Sequence, residues 1–199
     1  AEKNGLIGLI DHYVLRQSIE QIRLWRQNYA MPFYVSVNVS GLAFSEPDFA
    51  AAVIQKLAEA DVPARYLAIE ITERALIENI EQARLCLKQL RQHGVKVLLD
   101  DFGTGYSSLS YLNEFKLDVL KIDKSFVDDV AANTESQAIV TAIISMAHIL
   151  GLKALAEGVE QQAQLDYLQL QGCDYYQGYL CSKPLSAENF EQLIRSQMI

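Results

Sequence analysis

The sequence predicts an α/β fold in which parallel strands close into a barrel. Strand and helix patterns alternate along almost all of its 199 residues, and consecutive βα units of that kind imply parallel pairing with helices covering the sheet. Every predicted strand also finishes on a polar or charged side chain that a core has no use for. Glycines stand just past several of the helices, where a chain leaves the helical conformation.

In chain order, Leu6 to about Gln27 carries Leu6, Ile7, Ile10, Val14, Leu15, Ile19, Ile22 and Trp25 at helical spacing. Tyr34–Asn38 is a short strand, and a helix follows near Asp48–Ala60. Tyr66–Ile71 is a second strand, and its helix, near Ile80–His93, closes at Gly94. Val95–Asp100 and Asp118–Ile122 are the third and fourth strands. A long helix near Glu135–Leu150 closes at Gly151 and leads to the strand Leu152–Ala156. A helix near Gln161–Gln171 ends at Gly172, Tyr175–Leu180 is the sixth strand, and Ala187–Ser196 forms a last helix.

The strand ends decide between two parallel architectures. They are Asn38, Glu70, Asp100 with Asp101, Lys121, Glu157 and Gln177. A doubly wound sheet gathers its chemistry at one switch point, often beside a Gly-rich loop. A barrel opens the C-terminal ends of all its strands onto one face. Polar ends on all six strands therefore favour the barrel. Any one of them is equally well a solvated loop start, but four carboxylates on one face would repel each other without a counter-charge.

Composition narrows the function. A formal charge of −8 disfavours a generic binder of nucleic-acid polymers or anionic membranes. Anionic substrates stay open where metal ions stand between carboxylate and phosphate. No stretch approaches the ~18 apolar residues that span a bilayer, and no charged-then-apolar leader is present. Three cysteines, Cys86, Cys173 and Cys181, lack metal-site spacing and read as reduced thiols of the cytoplasm, Cys86 in the core.

Carboxylate and amide oxygens are ligands for hard divalent cations such as Mg2+ and Mn2+. Asn38, Glu70, Asp100 and Asp101 supply four such side chains. Adjacent aspartates normally face opposite sides of a strand, but at a strand end the backbone turns, so both can face one site and one can bridge two metals. Two metals suit in-line displacement at phosphorus. A buried Lys121 near cations would have a lowered pKa and orient or deprotonate the attacking water, with Glu157 holding it or a metal-bound water. Asp101–Leu109 reads as a mobile loop, with Gly103 and Gly105 permitting positive φ and Glu73 anchoring it. His12, His93 and His148 read as structural or solvated, Asp123 as a cap, Tyr175 and Tyr176 as packing, and Lys183-Pro184 as a turn.

These residues resemble a known family. Asn38-Val-Ser40, Glu70-Ile-Thr-Glu73, Asp100-Asp-Phe-Gly-Thr-Gly-Tyr-Ser-Ser-Leu109, Leu120-Lys-Ile-Asp123, Ala156-Glu-Gly-Val-Glu160 and Gln177-Gly-Tyr179 are similar to successive motifs of the EAL domain of bacterial signal transduction. The resemblance implies a modified (β/α)8, TIM-like barrel that hydrolyses the second messenger cyclic di-GMP to linear pGpG with Mg2+ or Mn2+, two per site. It implies Asn38, Glu70, Asp100 and Asp101 as metal ligands, Lys121 and Glu157 serving the attacking water, Glu73 tethering the loop Phe102–Leu109, and Gln177 ordering the substrate. It further implies a homodimer through the region of residues 102–109, a cytoplasmic domain without direct membrane contact, and a parent protein that can itself be membrane-tethered.

The match departs from the family at its start. The segment bearing the E-A-L motif, whose Glu is a metal ligand, has no counterpart here. The resemblance thus implies residues 1–199 to be a C-terminal domain holding six of eight βα units, with roughly 50–60 residues upstream. The expectation is an active parent and a nearly inactive 199-residue piece. The alternative is a catalytically degenerate module that binds cyclic di-GMP and signals. Lys116, Gln161 and Lys183 stand where Pro, Thr and Arg are common in the family.

Overall fold

The computed structural model describes residues 6–29, 33–103, 112 and 114–197. The strands are β1 (Val35–Asn38), β2 (Leu67–Thr72), β3 (Lys96–Phe102), β4 (Val119–Ile122), β5 (Lys153–Ala156) and β6 (Tyr175–Tyr176). The helices are α1 (Ile7–Asn28), α2 (Gly41–Phe44), α3 (Phe49–Glu59), α4 (Glu73–Glu78), α5 (Ile80–Gln92), α6 (Lys124–Val127), α7 (Thr134–Ile149), α8 (Gln162–Leu170) and α9 (Ala187–Gln197).

All five strand pairings are parallel and the sheet order is β1-β2-β3-β4-β5-β6. Strand order never reverses, so there is no switch point of the doubly wound kind. The expected barrel curvature shows in how the apolar side chains divide. Alternate residues of a strand face opposite sides. Leu67, Ile69 and Ile71, Val97 and Leu99, Leu120 and Ile122, and Ala154 and Ala156 join the main core with the helices. Ala68, Leu98 and Val119 form a separate cluster with Tyr34 and Leu155 packed on it. One face meets the helical layer; the other meets only itself, as the inside of a barrel wall does.

The wall curves far enough for the last helix to meet the first. Glu191 of α9 accepts hydrogen bonds from the Trp25 indole N–H (2.9 Å) and the Tyr29 hydroxyl (3.0 Å). Phe190 lies 5.2 Å from the Trp25 ring and 5.6 Å from Phe33. Among the described residues, β1 and β6 each pair on one side only.

At the opposite end from the strand C-termini, two aspartates repeat one device. The Asp118 carboxylate accepts from Val97 N–H (2.9 Å), while Asp118 N–H donates to Val97 O. The Asp174 carboxylate accepts from Ala154 N–H (2.9 Å), while Asp174 N–H donates to Ala154 O. Each aspartate thus closes the first rung between its own strand and the preceding one. Asp174 also takes hydrogen bonds from Lys153 and His148. Burial alone would raise its pKa, but these donors outweigh it and bring the carboxyl down to about 2.

Several boundaries differ from those the sequence predicts. Of the apolar residues in α1, Leu15, Ile19, Ile22 and Trp25 are buried, whereas Leu6, Ile10 and Val14 are exposed. β6 stops at Tyr176 rather than Leu180, because Cys181 and Ser182 both donate to the Gly178 carbonyl and turn the chain away. Tyr175 and Tyr176 are exposed, not packed. Cys86 is in the core, its thiol pushed up to about 12 by burial.

Candidate active site

The strand ends converge. Lys121, on β4 and 3% exposed, donates from Nζ to Glu70 Oε2 (2.6 Å), Asp100 Oδ1 (2.8 Å) and Glu157 Oε1 (2.7 Å). Three strands and the start of one loop meet on a single ammonium. Alternation places these groups on the inner face: Glu70 follows Ala68, Asp100 follows Leu98 and Lys121 follows Val119, each by two residues.

Asp101 joins them through a change in the backbone. Its φ is +53°, a left-handed conformation that aspartate tolerates better than most residues. The β3–β4 register shifts between Leu99 and Phe102. This bulge turns Asp101 from the outer face toward the side that Asp100 occupies. Carboxylate oxygens of Asp100, Asp101 and Glu157 lie within 4.8 Å of one another. An all-oxygen set of this kind fits a hard divalent cation, and Glu157 is part of it, beyond the water-holding role its position suggested.

The electrostatics are unbalanced. Four carboxylates against one ammonium leave a formal charge of −3. Burial, then Asp100 and Asp123, raise the Asp101 pKa against the pull of Lys121. Burial raises that of Glu157, opposed by its hydrogen bond to Lys121. Lys121 is dominated by its carboxylate partners. Burial would lower its pKa, but Glu70, Asp100 and Glu157 outweigh burial and raise it. The cause is plain: three carboxylates surround Nζ, and each accepts one of its hydrogen bonds.

The remaining candidates are placed less centrally. Asn38 ends β1 in register with Glu70 and is exposed. Glu73 is buried in the first turn of α4; the loop it was expected to anchor lies, from residue 104 to 111, outside the described residues, as does the dimer region expected there. Gln177 contributes through its backbone, donating to Ala156 O and accepting from Val159 N–H. Asp123 caps α6 by accepting from Ser125 N–H. His12, His93 and His148 contact Glu46, Gln89 O and Asp174 respectively, away from the cluster.

Comparison with known proteins identifies the family. The family model of the EAL domain matches residues 1–184. The chain belongs to the EAL domain family. Over 197 residues it is 39% identical to the signaling protein YkoW of Bacillus subtilis, covering 99% of this chain and 24% of that one. It is 40% identical over 196 residues to the cyclic di-GMP phosphodiesterase NbdA of Pseudomonas aeruginosa, covering 98% and 25%. The structure of the PaMucR phosphodiesterase in complex with c-di-GMP superimposes with a TM-score of 0.91 at 37% identity, over 96% of this chain and 77% of that one. The chain thus spans about a quarter of the length of these curated relatives. EAL neighbours have a TIM-like barrel, and the six parallel strands described here form part of such a wall. Among the described residues, no helix is long and apolar enough to cross a membrane.

Proposed function

We propose that this EAL domain hydrolyses cyclic di-GMP to linear pGpG, with Mg2+ or Mn2+ held by Asp100, Asp101 and Glu157, and with Glu70 and Asn38 completing the donors on the adjacent strands. The observation that carries the reading is the net −3 site around one buried ammonium. Such a site repels a phosphodiester unless cations intervene. Bound divalent cations would supply Lewis-acid stabilisation and lower the pKa of water at the site.

The chain's own residues do the rest. Lys121 keeps Glu70, Asp100 and Glu157 converged, and when their charge is neutralised it presents ammonium protons for orienting the attacking water. The product pGpG carries a 5′-phosphate, so the P–O3′ bond breaks and the 3′-oxygen leaves as a hydroxyl. Gln177 borders the substrate side of the site. Glu73 tethers the loop that follows β3, and the homodimer forms through residues 102–109. The domain is cytoplasmic, and the catalytic barrel is that of the complete domain.

The test is Mg2+-dependent conversion of cyclic di-GMP to pGpG by the longer protein containing this domain, with this chain and an Asp100→Asn variant as controls. Conversion abolished by Asp100→Asn supports the reading. Tight binding without conversion in wild type sinks it in favour of a binding module.

A further inference from the structure

The Glu157 carboxylate is the only member of the described cluster carried by a loop rather than by a strand. β5 ends at Ala156, and just beyond it the Glu157 N–H donates to Ile122 O (3.1 Å). The chain then turns at Gly158, with φ +67°. A side chain so placed reaches Lys121 only if the loop is held, since an error of about 1 Å at a catalytic group costs on the order of 100-fold.

Gln164, in the first turn of α8 and 3% exposed, supplies a hold. Its Oε1 accepts from Glu160 N–H (2.8 Å) and Gln161 N–H (2.9 Å). Its Nε2 donates to Val127 O (3.2 Å) and Asp128 O (3.0 Å). One buried amide thus has both donors and both acceptor positions used. Two N–H groups on one side and two carbonyls on the other also fix which way the amide points. It ties the loop after β5, which carries Glu157, to the end of α6, which follows the strand carrying Lys121.

A second tie runs parallel to it. The stem of Lys124 lies so close over Gly158 that a Cβ there would overlap its Cβ, Cγ and Cδ. Its Nζ donates to Asp128 (2.7 Å) and Glu160 (2.9 Å). On the far side, the backbone of Gly178 passes against that of Val159, leaving no room for a Cβ. Val159 N–H donates to Gln177 O, and Leu180 N–H to Val159 O. The loop is therefore gripped from both sides.

We propose that Gln164, assisted by Lys124, is a positioning residue for Glu157, setting the carboxylate that completes both the Lys121 contacts and the oxygen cluster. Its effect on turnover rests on the proposed hydrolysis; its effect on geometry does not. Lys124 is half exposed, so its ion pairs are weak, and Gln164 carries most of the hold.

The test compares Gln164→Met, Gln164→Glu, Lys124→Met and Lys124→Arg in this chain by three readouts. These are hydrogen exchange of the Val159, Glu160 and Gln161 amides, the NMR signal of the Lys121 ammonium, and Mn2+ affinity. Turnover of cyclic di-GMP is measured in the longer protein. Gln164→Met should speed exchange at Glu160 and Gln161, broaden the ammonium signal and weaken Mn2+ binding about tenfold, the usual cost of losing an outer-shell partner. kcat should fall about as much, with KM within about twofold. Gln164→Glu keeps the acceptor but loses the donor and should fall between; Lys124→Arg should behave as wild type where Lys124→Met does not. Faster loop exchange with an unchanged ammonium signal and unchanged Mn2+ affinity would reduce Gln164 to a helix cap and overturn the proposal. Should Gln164→Met fail to fold, Gln164→Glu, which keeps the acceptor and loses the donor, decides by the same readouts. If wild type converts no cyclic di-GMP, the hydrolytic reading fails while the ammonium signal and the exchange still settle the positioning role.

Discussion

At the scale of single residues, the site is an excess of negative charge gathered on one ammonium. Lys121 is the only positive charge among Glu70, Asp100 and Glu157. Replacing it by Met leaves buried carboxylates unpaired, which costs about 3 kcal/mol. Thermal unfolding of Lys121→Met in chelator should show that loss, and Mn2+ should restore part of it by binding the folded state; a variant equally stable with and without metal would contradict the cation site. Asp101 sits on the other side of the balance, its ionised form disfavoured by burial, Asp100 and Asp123. Asn accepts the same left-handed backbone, so Asp101→Asn should keep the fold while weakening Mn2+ binding, read by metal titration. The run of polar strand ends made Glu70, Asp100, Lys121 and Glu157 legible in the amino-acid sequence alone. What the sequence could not show was that three carboxylates share the one Lys121 ammonium. Gln164 was hidden for a related reason: a glutamine inside a helix pattern carries no signal that its amide is buried.

Elements were legible where a period was long enough to count. α1, α5 and α7 repeat buried residues over several turns. α2, α4 and α6 have four to six residues, too few for a helical period, and exist because Ser40, Thr72 and Asp123 cap them. β6 is shorter than its sequence suggests because its aromatic run continues past the turn at Gly178. Strand starts were less legible than strand ends, although Asp118 and Asp174 perform the same pairing there. Asp174→Ala removes charge-assisted hydrogen bonds from Lys153 and His148 and the acceptor for Ala154 N–H. After solvent screening it should cost about 1 kcal/mol, read by chemical denaturation. The pH dependence has a definite sign. The folded carboxyl titrates at about 2 against an ordinary 3.8. Its contribution is therefore complete above 3.8 and is lost as pH falls through about 2. The stability difference between wild type and Asp174→Ala should shrink as pH falls across that window.

At the scale of the whole molecule, the contact between the last helix and the first is separate from the carboxylate cluster. α9 meets α1 through Glu191, Phe190, Trp25 and Tyr29, beside β1. The carboxylates and Lys121 belong to β2, β3, β4 and the loop after β5. The sequence announced the barrel through its strand ends but had no way to announce this contact, since Trp25 and Glu191 are far apart in the chain and neither lies in a motif. Phe190→Ala should expose the Trp25 and Phe33 rings and cost about 3 kcal/mol, the usual loss for a packed aromatic. The site does not share those contacts, and effects at sites without common partners add independently. Mn2+ affinity of Phe190→Ala should therefore stay within about twofold of wild type at a temperature where the variant is folded. Tryptophan fluorescence reports the loosened contact, since Trp25 is the only tryptophan. A fall in Mn2+ affinity parallel to the fall in stability would show instead that the curvature set by α9 and α1 holds the strand ends in register. The wall and the site would then be one cooperative unit.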